Sequence, residues 1–213
     1  MKYFLYALFV LISITAKAME TSGTNRCILL SGLSGCGKST VGTALAAALP
    51  NCVFVEGDFF YLETKPLVIL STGEELKNWD SADAIDWHAL NTEVGKRLEV
   101  ADVVLATFLP RLDLIKFPVS LHVRLAYADA GRQDDITCCL SARITSKKFT
   151  EQAKQERDEL MVREVVYPTY EKMVQMFEAD FVVLTYTAGN RRPMQDVVDD
   201  VLSVLSLAGI SDL

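Results

Sequence analysis

The sequence predicts an α/β fold, a parallel β-sheet flanked by helices, and three observations carry that expectation. After residue 25, strand-like and helix-like segments alternate, the pattern of repeated βα units. A glycine-rich run at 32–39 lies between the first strand-like and the first helix-like segment. The chain has 213 residues and is 50% apolar, enough to fill one compact α/β core.

The elements follow in order. Residues 27–30 are a short apolar run, so the first strand is expected to end at Ser31. Residues 40–49 are rich in alanine and leucine and free of breakers, which predicts a helix. A second strand at 53–56 leaves Gly57 and Asp58 at its carboxyl end, and 59–85 is mixed and polar, with Pro66, Gly73 and Asn78. Asp86 is placed to cap a helix from Trp87 to about Glu99. A third strand is expected at 102–106 and, after a proline-bounded turn region, a fourth at 119–125. Helical stretches run to about Phe177 with a break near Pro168, and 181–185 supplies a fifth strand. The last helix has Pro193 in its first turn, apolar residues at 194, 197, 198, 201, 202 and 205, and Gly209 at its end. No internal repeat or low-complexity linker interrupts the pattern.

Charge and cysteine usage narrow the partners. The net charge is −7 and no block of lysine or arginine occurs, which argues against a nucleic acid and for a small-molecule partner. Cysteines 27, 36, 52, 138 and 139 form no spaced framework, so a disulfide scaffold is not expected and a reducing compartment fits. The first 18 residues point elsewhere. Lys2 precedes an apolar stretch at 3–16, and Ala16-Lys17-Ala18 resembles a signal-peptide cleavage site. That stretch is too short to span a bilayer comfortably. A cleaved secretory signal, an interfacial anchor and a true start at Met19 are the competing expectations.

Gly32-Leu33-Ser34-Gly35-Cys36-Gly37-Lys38-Ser39 fits the phosphate-loop pattern GxxxxGK followed by Ser or Thr at every fixed position. Glycines let backbone N–H groups close around phosphate oxygens, and the helix start adds its positive dipole end. Lys38 is expected to reach the β and γ phosphates, and Ser39 to offer its hydroxyl to magnesium. ATP and Mg2+ are therefore the expected ligands, held by Gly32, Ser34, Gly35, Cys36, Gly37, Lys38, Ser39 and Thr40. Ligands of open parallel sheets bind beyond the carboxyl ends of the strands, which puts Asp58 beside the loop. A carboxylate there can accept the proton of an attacking hydroxyl or help hold magnesium. The structural alternative is that Asp58 caps a turn. For Cys36, a thiol activated by Lys38 and the helix start competes with a plain small-residue role.

Three segments resemble one family. The loop with Thr40, then Glu-Gly-Asp-Phe-Phe-Tyr at 56–61, then Asn-Trp-Asp-Ser-Ala-Asp-Ala-Ile-Asp-Trp at 78–87, are similar in order and spacing to those of uridine kinases and nicotinamide riboside kinases. Residues 179–183 resemble the penultimate strand of that family, so the likeness runs intermittently from about 26 to 205. It implies a kinase domain over 25–208 with a helical lid near 141–165. By resemblance, Asp58 is the base for a nucleoside 5′-hydroxyl, Asp80 holds the ribose hydroxyls, and Tyr61 and Trp79 line the pocket. A carboxylate at 80 suits that role because it can accept two hydrogen bonds from a vicinal diol. Arg143, Lys147 and Lys148 look like the lid cations that contact phosphate, and the planar fork of arginine suits the task. Against these stand plainer roles: Asp80 as a cap before a helix, Trp87 as core, and 143–148 as a solvated basic turn. Arg157 and Arg163, among glutamates, read as surface pairs.

The chain also departs from the family. Where uridine kinases carry an acid at the end of the third strand, this chain has Leu105-Ala106-Thr107, which leaves metal binding to Ser39, Asp58 and water. The segment between the second and third strands is shorter than theirs and is expected to lack their extra β-hairpin. A gluconate-type sugar-acid kinase is the alternative enzyme, on a faint likeness at 73–76 and at Arg143, Lys147 and Phe149. A nucleotide-binding protein without catalysis is the other. No guanine-reading Asn-Lys-x-Asp and no transporter signature occurs.

Overall fold

In the computed structural model, residues 25–107, 111–127, 132–147, 151–187 and 190–210 are described. The apolar segment at 1–18 and Lys148 lie outside them. Strand β1 (Cys27–Gly32) is buried along its whole length. It is followed by α1 (Lys38–Ala48), β2 (Cys52–Glu56), β3 (Leu67–Ile69), β4 (Glu75–Lys77) and α2 (Trp87–Leu98). Then come β5 (Asp102–Thr107), β6 (Leu121–Ala126), α3 (Arg132–Lys147), α4 (Gln152–Met161), a π-turn (Val162–Val166) and α5 (Tyr167–Met176). The chain closes with β7 (Phe181–Leu184), the short pair β8 (Tyr186–Thr187) and β9 (Asn190–Arg191), and α6 (Met194–Leu207).

Five strands pair in parallel in the order β2-β5-β1-β6-β7. β1 reads as an unbroken apolar run because helices cover both faces of the sheet. Alternate side chains serve different cores: Ile28 and Leu30 join Val41, Leu45, Val123, Val197 and Val201 on one face. Cys27 and Leu29 join Leu90, Val94, Val103 and Leu105 on the other. All five cysteines are free.

The α/β expectation and its five parallel strands match what is observed, with most boundaries within two residues. Asp86 caps α2 as expected, its carboxylate accepting from the Ala89 N–H at 2.9 Å. Two expectations need correction. The segment between β2 and β5 does contain a β-hairpin, β3 against β4, turning at Gly73 with φ 82°. Its strands are three residues long and expose Leu67 and Ile69 while Val68 and Leu76 pack on the core, a pattern too short to stand out in sequence. Pro168 does not break its helix. The backbone stays helical from α4 through the π-turn into α5, where Pro168 sits in the first turn. The wider π-turn just before it accommodates a residue that has no N–H to donate.

The hairpin is fastened to this helical segment. The Ser71 N–H donates to Glu164 Oε2 at 2.8 Å, the Ser71 hydroxyl donates to Oε1, and Arg157 pairs with Glu74 at 3.3 Å. Among the described residues, no helix is long and apolar enough to cross a membrane.

Two helical glycines differ in what surrounds them. A Cβ at Gly42 in α1 would lie 2.3 Å from Phe54 Cε2, whereas one at Gly95 in α2 would meet nothing within 4 Å. Gly95→Ala is therefore expected to stabilise the chain by about 1 kcal/mol through helix propensity. Gly42→Ala is expected to destabilise it by about 1–3 kcal/mol through overpacking. Urea unfolding of both variants measures the two signs.

Candidate functional site

A cleft of about 420 Å³ opens where β1, β2 and β5 end. The loop that forms its floor is possible because side chains are missing from it. Gly35 has φ 82°, and a Cβ there would lie 2.6 Å from the Ala142 Cβ of α3. Gly37 has φ 98° and starts α1; a Cβ there would lie 2.8 Å from the Met194 Cε of α6. Tyr127, just past β6, donates its hydroxyl to the Ser34 carbonyl at 2.5 Å. Lys38 folds back over the loop and donates to the carbonyls of Gly32 and Leu33 at 2.9 and 3.2 Å. Cys36 is buried beneath, and burial pushes its thiol above the ordinary range despite the opposing charge of Lys38. That environment suits the small-residue role rather than an activated thiol.

The end of β2 supplies two carboxylates to the cleft, Glu56 and Asp58. The Ser39 hydroxyl donates to Glu56 Oε1. Glu56 lies in register with Ala106 on β5, the strand end where the family-type acid is absent. The neighbouring strand thus carries a carboxylate at the same level of the sheet. Glu56 did not enter the sequence-derived site, although its place two residues before Asp58 at one strand end was the available signal.

Asp58 is solvent-accessible, yet the walls of the cleft remove enough water to push its carboxyl above the ordinary aspartate range. Lys38 pulls in the opposite direction, Glu56 adds to the rise, and a hydrogen bond from the Tyr61 hydroxyl opposes it. Tyr61 itself is raised by burial and by the charges of Asp58 and Asp80. Its backbone is held by a bridge to Ile85, with flanking bonds from Leu62 N–H to Ala84 O at 2.8 Å and from Asp86 N–H to Phe60 O at 2.7 Å.

Asp80 lines the same cleft and is only 7% exposed. It caps no helix: Ser81 caps the short turn Ala82–Ala84 and Asp86 caps α2. Trp79 meets the Tyr61 ring edge to face, with centroids 5.2 Å apart, and is 46% exposed. The Lys65 ammonium lies 4.1 Å from the Trp79 ring centroid. Trp87 belongs to the scaffold: its indole N–H donates to Ala82 O at 2.8 Å and its ring packs against the second core.

Arg143 is buried on α3 rather than lying in a solvated turn. Its Nε and Nη2 donate to the two carboxylate oxygens of Asp158 at 2.8 and 2.6 Å, and Nη1 donates to Ser34 Oγ at 3.2 Å. Lys147 is the last residue of α3. Arg157 and Arg163 form surface pairs, Arg163 with Glu159 at 2.8 Å. The β8–β9 hairpin adds a cation that the sequence analysis did not select: Arg191 lines the cleft, its Nη2 3.6 Å from where a Gly37 Cβ would lie. Its only signal was a basic pair just before the proline that opens α6.

No family model matches the sequence, and no curated protein does. Solved structures resemble the fold. An unliganded sugar kinase from Janibacter sp. HTCC2649 gives a TM-score of 0.50 at 15% identity, covering 89% of this chain and 99% of its own. A gluconokinase from Sinorhizobium meliloti 1021 gives 0.47 at 18% identity, covering 85% of this chain and 91% of that one. A shikimate kinase from Acinetobacter baumannii in complex with shikimate gives 0.46 at 20% identity, covering 85% and 93%. The five-stranded parallel sheet flanked by helices is the fold this chain shares with the sugar kinase.

The surroundings of Asp58 give a titration that can be observed directly. Its carboxyl is expected to lose its proton above the ordinary aspartate range, so the charged form is present only above that raised value. Tyr61→Phe removes a hydrogen bond to the charged form and should move the midpoint further up. A carboxyl-carbon NMR titration of both chains tests this, and an Asp58 midpoint at the ordinary value would contradict it.

Proposed function

We propose that the protein is an ATP-dependent small-molecule kinase whose acceptor is the 5′-hydroxyl of a nucleoside. The observation that carries this reading is the meeting in one cleft of the Lys38 loop, the Ser39–Glu56 contact, and an acceptor side made by Asp58, Tyr61 and Asp80.

On the donor side, the loop N–H groups and Lys38 bind the phosphates, Lys38 exchanging its two carbonyl contacts for phosphate oxygens. Ser39 and Glu56 are an oxygen donor set with a single carboxylate, which would fit Mg2+ bound together with phosphates. When bound, the ion neutralises charge on the phosphate oxygens. With Glu56 against Ser39, Asp58 is left to accept the proton of the attacking hydroxyl as its oxygen forms the new bond to phosphorus and ADP departs. A carboxyl with a raised pKa is the better base for that proton, and the Tyr61 hydroxyl keeps it oriented.

The acceptor side favours a neutral polyol carrying a flat ring. Asp80 can take a vicinal diol, and the half-exposed Trp79 ring with Tyr61 at its edge offers a planar apolar wall. A sugar acid would place its carboxylate beside Asp58 and Asp80, while the nearby arginine is already paired with Asp158. The non-catalytic alternative drew on the missing third-strand acid, and Glu56 offers a carboxylate at the same level of the sheet.

Release of ADP by the full chain with ATP and Mg2+ is the direct test, against uridine, cytidine, adenosine, nicotinamide riboside and gluconate. Turnover with a riboside is expected. Lys38→Ala and Asp58→Asn should each lower it by roughly a hundredfold or more. Asp80→Ala should raise the KM for the riboside more than that for ATP. Turnover with gluconate alone would move the chain to the sugar-acid kinases, and nucleotide binding without turnover on any acceptor would favour the non-catalytic alternative. Glu56→Gln should raise the Mg2+ needed for tight ATP binding by about tenfold while leaving metal-free ATP binding unchanged.

A further inference from the structure

The buried pair Arg143–Asp158 links two helices that the catalytic account does not otherwise connect. Asp158 is 8% exposed, on α4, and its two oxygens take the Nε and Nη2 edge of the guanidinium at 2.8 and 2.6 Å. A guanidinium is planar, so fixing that edge fixes the direction of the remaining nitrogen. Here Nη1 points to the phosphate loop and donates to Ser34 Oγ at 3.2 Å. Ala142, the preceding residue on α3, fills the space beside Gly35, so the backbone of α3 is registered against the same loop. The charge of Asp80, on the acceptor side, also acts on Arg143. The guanidinium therefore stands against the phosphate loop and within the electrostatic reach of Asp80.

We propose that Asp158 is a positioning residue, whose two-oxygen grip on Arg143 holds Nη1 at the phosphate loop so that it meets the outermost phosphate of the nucleotide. This rests on the phosphoryl-transfer reading above, but it needs no knowledge of the acceptor. Asp158 is not among the residues that line the cleft. It orients the buried guanidinium, whose planar fork gives one N–H to each carboxylate oxygen. The same helical segment holds Ser71 of the acceptor-side hairpin through Glu164, so a shift of α4 would move both sides of the cleft together.

The distinguishing property is selectivity for the third phosphate. Calorimetric affinities for Mg·ATP and Mg·ADP would be measured on the full-length wild type, Asp158→Asn and Arg143→Lys, with thermal melting of each chain. In both variants a loss of about tenfold or more in ATP affinity is expected, with ADP affinity changed less than about twofold. Asp158→Glu keeps the charge but displaces the fork; it should show the same ATP-selective loss, and it provides the measurement if the Asn variant does not fold. Equal losses for ATP and ADP together with a lowered melting temperature would make Asp158 a structural partner only and overturn the proposal. An Asp158→Asn chain with wild-type affinity for both nucleotides would overturn it too. A wild type that binds neither nucleotide would instead overturn the phosphoryl-transfer reading, and this role with it.

Discussion

The close approach of three elements to the glycine loop is the constraint on which the rest of the site depends. The Leu125 carbonyl of β6, the Ala142 methyl of α3 and the Met194 thioether of α6 each occupy the space that a side chain on Gly32, Gly35 or Gly37 would take. The loop can follow its path only because those positions have no Cβ to clash and can adopt positive φ. In turn, the loop tells α3 and α6 where to pack. Arg191 is brought to the cleft, and Arg143 to Ser34 of the loop, by the elements that fill in around the glycines.

The cleft brings charges of both signs together. Lys38 and Arg191 line it along with Glu56, Asp58 and Asp80. Arg143 reaches Ser34 of the loop from α3, and its pair with Asp158 is buried. Such a pair is weak evidence for stability, because desolvating both ions offsets most of their attraction. Breaking it from one side is a different matter, costing about 3–5 kcal/mol when an uncompensated charge stays buried. A fork held along one edge by two oxygens has its other nitrogen directed as well, and here Nη1 donates to Ser34 of the loop.

The wall of the cleft that carries Tyr61 and Asp80 is assembled from a stretch with little regular structure. The bridge between Tyr61 and Ile85 closes residues 62–84 into a loop. Within that loop, the β3–β4 hairpin is anchored on Glu164 and Arg157, while Trp79 and Asp80 return to Tyr61. Polar segments of this kind can be rigid when their ends are zipped together and their tip is fastened, and they carry function because their side chains are not committed to a core. Leu67, Ile69 and Trp79 stay exposed there.

The sequence by itself determined the five main strands and the helices between them, the phosphate loop, and Asp58 as a candidate at a strand end. These are local: strand-loop-helix alternation and fixed spacing are written in consecutive residues, whereas Asp80, Tyr61 and Trp79 became candidates through a resemblance. Tertiary structure alone decided how those residues are used. That Glu56 reaches Ser39 and stands in register with Ala106 depends on strand pairing between β2 and β5. Arg143 is held by a residue 15 positions away and faces a serine 109 positions away. Arg191 arrives on a two-residue strand. The hairpin at 67–77 and the π-turn before Pro168 escaped notice because each is defined by what it packs against or accommodates rather than by a repeating pattern. Spacing along the chain reports the local periods of helix and strand; the meeting of distant side chains is set by sheet register and helix packing, which no single segment encodes.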